Sequence, residues 1–190
     1  MRTILYLHGF RSSPSSFKAR RMREHFEASG QSARFICPQL PPSPSEAIAV
    51  ARAAVAGIDA ESLALVGSSL GGFYATVLAE QLGCRAVLIN PAVDPARDLE
   101  KYIGEQQAWH SEDRFYFRPA YIDELKSLEV AQLTRRDRYL LLAATGDEVL
   151  DWREMTARYA GTHQHVIEGS DHGLSDFDDY LQEVLAFCNA

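Results

Sequence analysis

Ser69, Asp147 and His172 are the residues whose types and order could carry a chemistry. A serine hydroxyl is a weak nucleophile at neutral pH. It needs a histidine within hydrogen-bond reach to take its proton, and a carboxylate to fix that imidazole's tautomer and favour its protonated form. Ser69 stands in Gly67-Ser68-Ser69-Leu70-Gly71-Gly72, directly after the apolar run 63–66 and before a helical pattern over residues 73–82. A sharp strand-to-helix turn is thereby forced onto residues 67–71, where the glycines two positions either side of Ser69 lack the bulk that would collide. This is the G-x-S-x-G nucleophile elbow, which lifts a hydroxyl above a sheet at a helix N-terminus. A glycine-rich turn whose serine only caps the helix fits the same pattern, so the partners decide.

Six histidines could serve as the base: His8, His25, His110, His163, His165 and His172. Loops at the carboxyl ends of parallel strands converge on an elbow, which restricts the choice. His172 lies in Gly169-Ser170-Asp171-His172-Gly173, after the sixth predicted strand, and completes the order serine, acid, histidine. His25 falls within a helix, His110 within an inserted region, and His163 and His165 enter a strand, so packing or surface roles are expected for them. Asp147 is the first carboxylate after the fifth predicted strand and is the expected acid, with Glu148 and Asp151 competing and Asp151 the next choice. Asp151 and Glu154 also fit a capping box for the next helix, and Asp171, adjacent to the base, reads as a loop-shaping residue. The oxyanion that forms on a carbonyl needs donors, expected from the backbone N–H groups of Leu70 and Phe10. His8 would then brace the loop after the first strand, and Gly9 would let the backbone come close.

Elements to hold these residues are legible as alternating patterns. Apolar runs at Thr3–Leu7, 33–36, 63–66, 86–89, 138–143 and His163–Ile167 predict six strands. Helices are expected after Ser16, with Phe17, Met22 and Phe26 on one face; after Ser45, with Ile48 and Val55; over 73–82; over 152–159; and after Ser175, with Phe177, Leu181, Leu185 and Phe187. Pro38, Pro41, Pro42 and Pro44 make a stiff loop between the second strand and second helix. Such alternation implies an α/β fold with a parallel sheet, right-handed crossovers and helices on both faces. The expected strand order along this chain is 2-1-3-4-5-6. The rhythm fails from about residue 94 to 137, where charged residues mix with Tyr102, Trp109, Phe115, Tyr116, Phe117 and Tyr121 without a clear strand, which predicts an inserted cap of short helices.

The 190 residues suit one domain, and 46% hydrophobic and 24% charged residues are ordinary for a globular chain. A formal charge of −7 and a pI near 5.3 argue against a nucleic-acid or anionic-membrane surface. The one basic cluster, Lys18, Arg20, Arg21 and Arg23, reads as a solvated helix face countered by Glu24 and Glu27. Cys37, Cys84 and Cys188 are odd in number and dispersed, which suggests reduced thiols in a cytoplasm. The first apolar strand begins by Ile4 without a leader-like stretch, and no apolar run has the length to cross a bilayer.

The stretches Leu5-Tyr6-Leu7-His8-Gly9-Phe10-Arg11-Ser12-Ser13-Pro14, Pro38-Gln39-Leu40-Pro41-Pro42, Val66-Gly67-Ser68-Ser69-Leu70-Gly71-Gly72, Asn90-Pro91-Ala92-Val93, Thr145-Gly146-Asp147-Glu148-Val149-Leu150-Asp151 and Val166-Ile167-Glu168-Gly169 resemble the YqiA-type small bacterial esterases of the α/β-hydrolase superfamily. The resemblance implies a compact α/β-hydrolase fold without the first two strands of larger relatives. It also implies Ser69 as nucleophile, Asp147 as acid and His172 as base, and esterase or thioesterase activity. Such chemistry needs no metal or organic cofactor, and the partner implied is a small-molecule acyl ester or thioester. Oligomeric state is not legible. Asp171 departs from the family pattern, where a neutral residue such as Asn is expected; a second negative charge beside the base predicts activity at somewhat higher pH. Two rivals remain: a binding or scaffold protein that kept the fold without the chemistry, and a metallohydrolase using His163, His165 and His172, for which no carboxylate set with clear ligand spacing is present.

Overall fold

The computed structural model describes residues 1–109 and 112–190; His110, expected in the inserted region, lies outside them. Among the described residues eight strands are formed: β1 (Thr3–Leu7), β2 (Phe35–Ile36), β3 (Leu63–Ser68), β4 (Arg85–Ile89), β5 (Gly104–Gln107), β6 (Arg114–Phe117), β7 (Tyr139–Ala144) and β8 (His163–Ile167). Six make one parallel sheet in the order β2-β1-β3-β4-β7-β8, which is the predicted order when the sheet strands are numbered along the chain. The helices are α1 (Phe17–Ala28), α2 (Pro44–Ala54), α3 (Leu70–Leu82), α4 (Pro95–Leu99), α5 (Ala120–Ser127), α6 (Trp152–Arg158) and α7 (Phe177–Asn189).

A strand covered on both faces must be apolar along its buried length, and residues 4–7 of β1, 63–66 of β3, 86–89 of β4 and 139–144 of β7 are buried and apolar. Alternate residues face different layers. Ile4, Tyr6, Ala64, Val66, Val87, Ile89, Leu140 and Leu142 pack with Met22 and Phe26 of α1 and Phe177, Val184 and Leu185 of α7. Leu5, Leu7, Leu63, Leu65, Leu88 and Leu141 pack on the other face with α2, α3 and α6. The three-layer architecture is that of the α/β hydrolases. Parallel pairing brings the carboxyl ends of β1, β3, β7 and β8 to one rim, with Leu7 beside Gly67 and Ala144 beside Ile167. Among the described residues no helix is long and apolar enough to cross a membrane.

Several expected boundaries shift. The second strand is only Phe35–Ile36 because residues 32–34 form a 3-10 turn. The second helix begins at Pro44, capped by the Ser43 hydroxyl accepting from the Glu46 N–H at 3.2 Å, two residues before the Ser45 expected. The last helix begins after Asp176, and Ser175 instead donates to Asp171. The inserted region needs the largest correction. It is not made of short helices alone: α4 leads into the antiparallel hairpin β5–β6, and α5 follows. The Gly-Glu-Gln-Gln of β5 has no apolar side chain to announce a strand. Its pairing is held from outside, because the Phe10 ring after β1 packs at 5.9 Å from Phe115 and 5.1 Å from Phe117.

Candidate active site

The turn between β3 and α3 holds Ser69 at φ 56° and ψ −123°, a conformation that costs a side-chain-bearing residue about 1–3 kcal/mol. The strain is imposed by neighbours. The Ser69 N–H donates to the Ile89 carbonyl at 3.0 Å, and its own carbonyl accepts from Gly72 and Ala92. A Cβ at Gly67 would stand 2.1 Å from the Gly71 oxygen, and one at Gly71 2.0 Å from the Leu7 oxygen, so both positions demand glycine. Ser69 makes no side-chain cap bond to α3, which leaves its hydroxyl for other work.

That hydroxyl donates to His172 Nε2 at 3.0 Å, and the opposite ring nitrogen, Nδ1, donates to Asp147 Oδ2 at 2.8 Å. A carboxylate can only accept, so it fixes the hydrogen on Nδ1 and leaves Nε2 as the acceptor facing Ser69. The Asp147 side chain is fully buried, and its other oxygen accepts the N–H groups of Val149 and Leu150, both at 2.8 Å. Serine, imidazole and carboxylate thus form one hydrogen-bonded chain. The competing carboxylates do other things. Glu148 accepts the backbone N–H of His172 at 3.0 Å, and Asp151 caps α6 by accepting from Arg153 at 2.9 Å. Asp171 shapes its loop by accepting from the Ser175 N–H and hydroxyl, bonds that hold its carboxyl below the usual range, aided by Lys18 and His172.

His8 does not join this chain. Its Nε2 accepts the Leu40 N–H at 3.0 Å, so Nδ1 carries the hydrogen and donates to the Gly9 carbonyl, bracing the loop after β1. Burial pushes its pKa down, partly opposed by the Gly9 bond, and keeps the ring neutral. Gly9 runs against the nucleophile: a Cβ there would sit 3.6 Å from Ser69 Oγ. Phe10 and Leu70 line the same cavity as Ser69 and His172. His163 packs on Phe187 and His165 bonds Glu183, so the histidines of the metal reading are dispersed.

Two residues of the site escaped sequence reasoning. Asn90, fully buried at φ 42°, donates through Nδ2 to the carbonyls of Asp171 and His172, both at 3.0 Å, and accepts the Ala144 N–H at 2.8 Å. It ties the end of β4 to the base loop; Asn-Pro reads in sequence only as a strand terminator. Lys18, expected on a solvated helix face, is instead buried, and its ammonium donates to the Gly173 carbonyl. Its burial follows from the docking of α1 against the base loop, which a run of basic residues does not reveal. Burial pushes its pKa down to about 8, against the pull of Asp171 and Asp147.

The site opens into a cavity of about 740 Å³, within the range that holds small molecules. Its lining includes exposed apolar groups, Phe17 at the start of α1 and Trp109 and Val149 from two loops. Arg11 joins the β1 loop to the inserted hairpin: Nε donates to the Gln107 carbonyl at 2.6 Å, and the guanidinium lies 4.3 Å from the Trp109 ring centre.

The model of the uncharacterised protein family UPF0227 matches residues 3–189. A UPF0227 protein of Serratia proteamaculans is 26% identical over 140 residues, 73% of this chain and 71% of that one. A UPF0227 protein of Yersinia enterocolitica is 28% identical over 134 residues, 69% and 67% of the two chains. Among solved structures, one from the metagenome-derived lipolytic enzymes LipS and LipT matches with a TM-score of 0.70 at 21% identity, covering 97% of this chain and 92% of that one. The esterase domain of a Rhodothermus marinus protein matches with a TM-score of 0.65 at 20% identity, covering 96% and 83%. Mouse alpha/beta hydrolase domain-containing protein 10 matches at 0.67 and 17%, covering 96% and 86%. At these identities the structural likeness shows the fold.

Proposed function

The chain belongs to the UPF0227 family, whose YqiA-type members its motifs resemble, and from that premise we propose that it is a serine hydrolase that cleaves acyl esters or thioesters. The observation that carries the reading is the chain from Ser69 Oγ through His172 to Asp147, opening on a cavity. Ser69 attacks the substrate carbonyl carbon while His172 Nε2 takes its proton, and Asp147 stabilises the imidazolium. The N–H groups of Leu70 and Phe10 hold the oxyanion. His172 returns the proton to the departing alkoxide or thiolate. Water, activated by the same nitrogen, then attacks the acyl-serine and releases the acid. The esterase and lipolytic proteins that share the fold support the class of chemistry, and the three dispersed free thiols suit a cytoplasmic site.

A fluorophosphonate probe tests the nucleophile, and a panel of acyl esters and acyl-CoA thioesters of increasing length tests the substrate. The wild type is expected to acquire one adduct, at Ser69, and to turn over members of the panel; Ser69→Ala should do neither. No adduct and no turnover would instead mark a binding or scaffold protein that kept the fold alone.

A further inference from the structure

Among the described residues, the cavity beside Ser69 holds a buried cation with no ion-pair partner. Lys18 is 8% exposed and lines the cavity on the side of the base loop. Its Nζ donates to the carbonyl of Gly173, next to His172. That is its single hydrogen bond among the described residues, although an ammonium has three donors. Burying such a group without a paired anion is costly.

The carboxylates whose charge reaches Lys18 are committed elsewhere. Asp171 is bound by the Ser175 N–H and hydroxyl, and Asp147 by His172, Val149 and Leu150. Among the described residues no ion pair includes Lys18. The imbalance extends to the whole cavity. In a chain of net charge −7, Arg11, Lys18 and Lys101 line it against Asp98 and Glu148. Glu148 accepts the His172 N–H, and Asp98 pairs with Arg97 through Oδ1, its buried Oδ2 having no hydrogen-bond partner among the described residues.

We propose that Lys18 binds an anionic group of the substrate, so that the enzyme acts on esters carrying a carboxylate in addition to the scissile carbonyl. The inference rests on the hydrolase reading and specifies its substrate class. One buried ammonium with two spare donors matches the single charge of a carboxylate; a phosphate monoester, with nearly twice the charge and three acceptor oxygens, asks for a larger donor cluster. The depressed basicity of Lys18 fits a site that lacks its anion, since a bound carboxylate would favour the charged amine.

Two matched pairs of substrates test this. Phenyl hexanoate against monophenyl adipate places the charge on the acyl side; 4-acetoxybenzamide against 4-acetoxybenzoate places it on the leaving group. In one pair the wild type is expected to favour the anionic member by roughly tenfold or more in kcat/KM. That ratio should fall to about one or below in Lys18→Met and in Lys18→Gln, the latter retaining a donor for the Gly173 carbonyl. A wild-type ratio near one in both pairs, or a ratio that survives both substitutions, overturns the inference. Failure of the hydrolase reading looks different, with no pair turned over and no adduct at Ser69. In that event calorimetric binding of 4-hydroxybenzoate against 4-hydroxybenzamide, and of adipate against hexanamide, decides: binding of an anion that is lost in Lys18→Met supports the site, and equal binding of charged and neutral members overturns it.

Discussion

Replacing Asn90 with alanine should loosen the base loop from the sheet. Three hydrogen bonds disappear with the side chain, those to the carbonyls of Asp171 and His172 and from the N–H of Ala144. Each is worth about 1 kcal/mol net, and more where a buried partner is left unsatisfied, so roughly 3 kcal/mol of stability is at stake. Alanine at φ 42° adds strain of about 1 kcal/mol, because asparagine tolerates the left-handed region better. In a chain of 190 residues each kcal/mol moves the melting temperature by about 2–4 °C, which predicts a fall of roughly 8–16 °C. His172 is held to Ser69 at 3.0 Å by this loop, and a displacement of about 1 Å can cost a hundredfold in rate, so kcat should fall far more than KM rises. Asn90→Asp separates the two halves. It keeps the shape and the acceptor for Ala144 but turns an oxygen toward two carbonyls, and should lose activity at least as heavily as Asn90→Ala. Differential scanning calorimetry and steady-state hydrolysis of the best ester in the panel provide the two readings. A melting shift under about 2 °C together with an unchanged kcat would refute the reasoning.

Gly71→Ala should abolish soluble folded protein, since its Cβ meets the Leu7 oxygen at 2.0 Å, whereas Gly30→Ala, with open space and only φ +68° to strain it, should cost about 1 kcal/mol; comparable denaturation midpoints would contradict this. Asp171→Asn should move the acid limb of the pH–rate profile to lower pH, because it removes a carboxylate held ionised beside His172; a superimposable profile would show that the charge is not felt. Lys18→Met should gain stability over the wild type at pH 7, by up to about 3 kcal/mol less the bond to Gly173. The amine is about 8 folded and near its ordinary value unfolded, so the unfolded chain binds more protons between those pH values; wild-type stability rises with pH through that window, and the gap between the two proteins should close by about pH 10. Guanidinium unfolding at several pH values measures the gap, and one that stays constant would deny that Lys18 is buried charged.

Most of the sheet and the serine–histidine–carboxylate chain were legible because each rests on a local signal with a strict physical cause. A parallel strand buried on both faces cannot be polar, which exposes β1, β3, β4 and β7 as apolar runs, and the elbow cannot form without glycine at 67 and 71. Asp147 and His172 follow from chain order, since the loops of one sheet rim must meet. What was not legible depends on contacts between distant segments. The hairpin β5–β6 is stabilised by the Phe10 ring from the first loop, and nothing in Gly-Glu-Gln-Gln announces it. Lys18 reads as one more basic residue on a solvated helix, and only the docking of α1 against the base loop buries it.

Asn90, Glu148 and Lys18 share a feature that links these omissions. All three grip the base loop by its backbone, at the carbonyls of Asp171, His172 and Gly173 and at the N–H of His172, rather than by any side chain. Backbone anchoring leaves the imidazole free to be oriented by Asp147 alone while the peptide beneath it is fixed from β4, from the turn after β7 and from α1. It also explains why the loop can carry Ser170 and Leu174 at positive φ without glycine: four bonds from three elements over-determine its path, and local strain of about 1–3 kcal/mol per residue can persist under such constraint. Of the three anchors, Asn90 and Glu148 serve geometry with all their described bonds inside the protein. Lys18 alone has donors to spare, which is why the same residue that steadies the base is the one fitted to recognise the substrate.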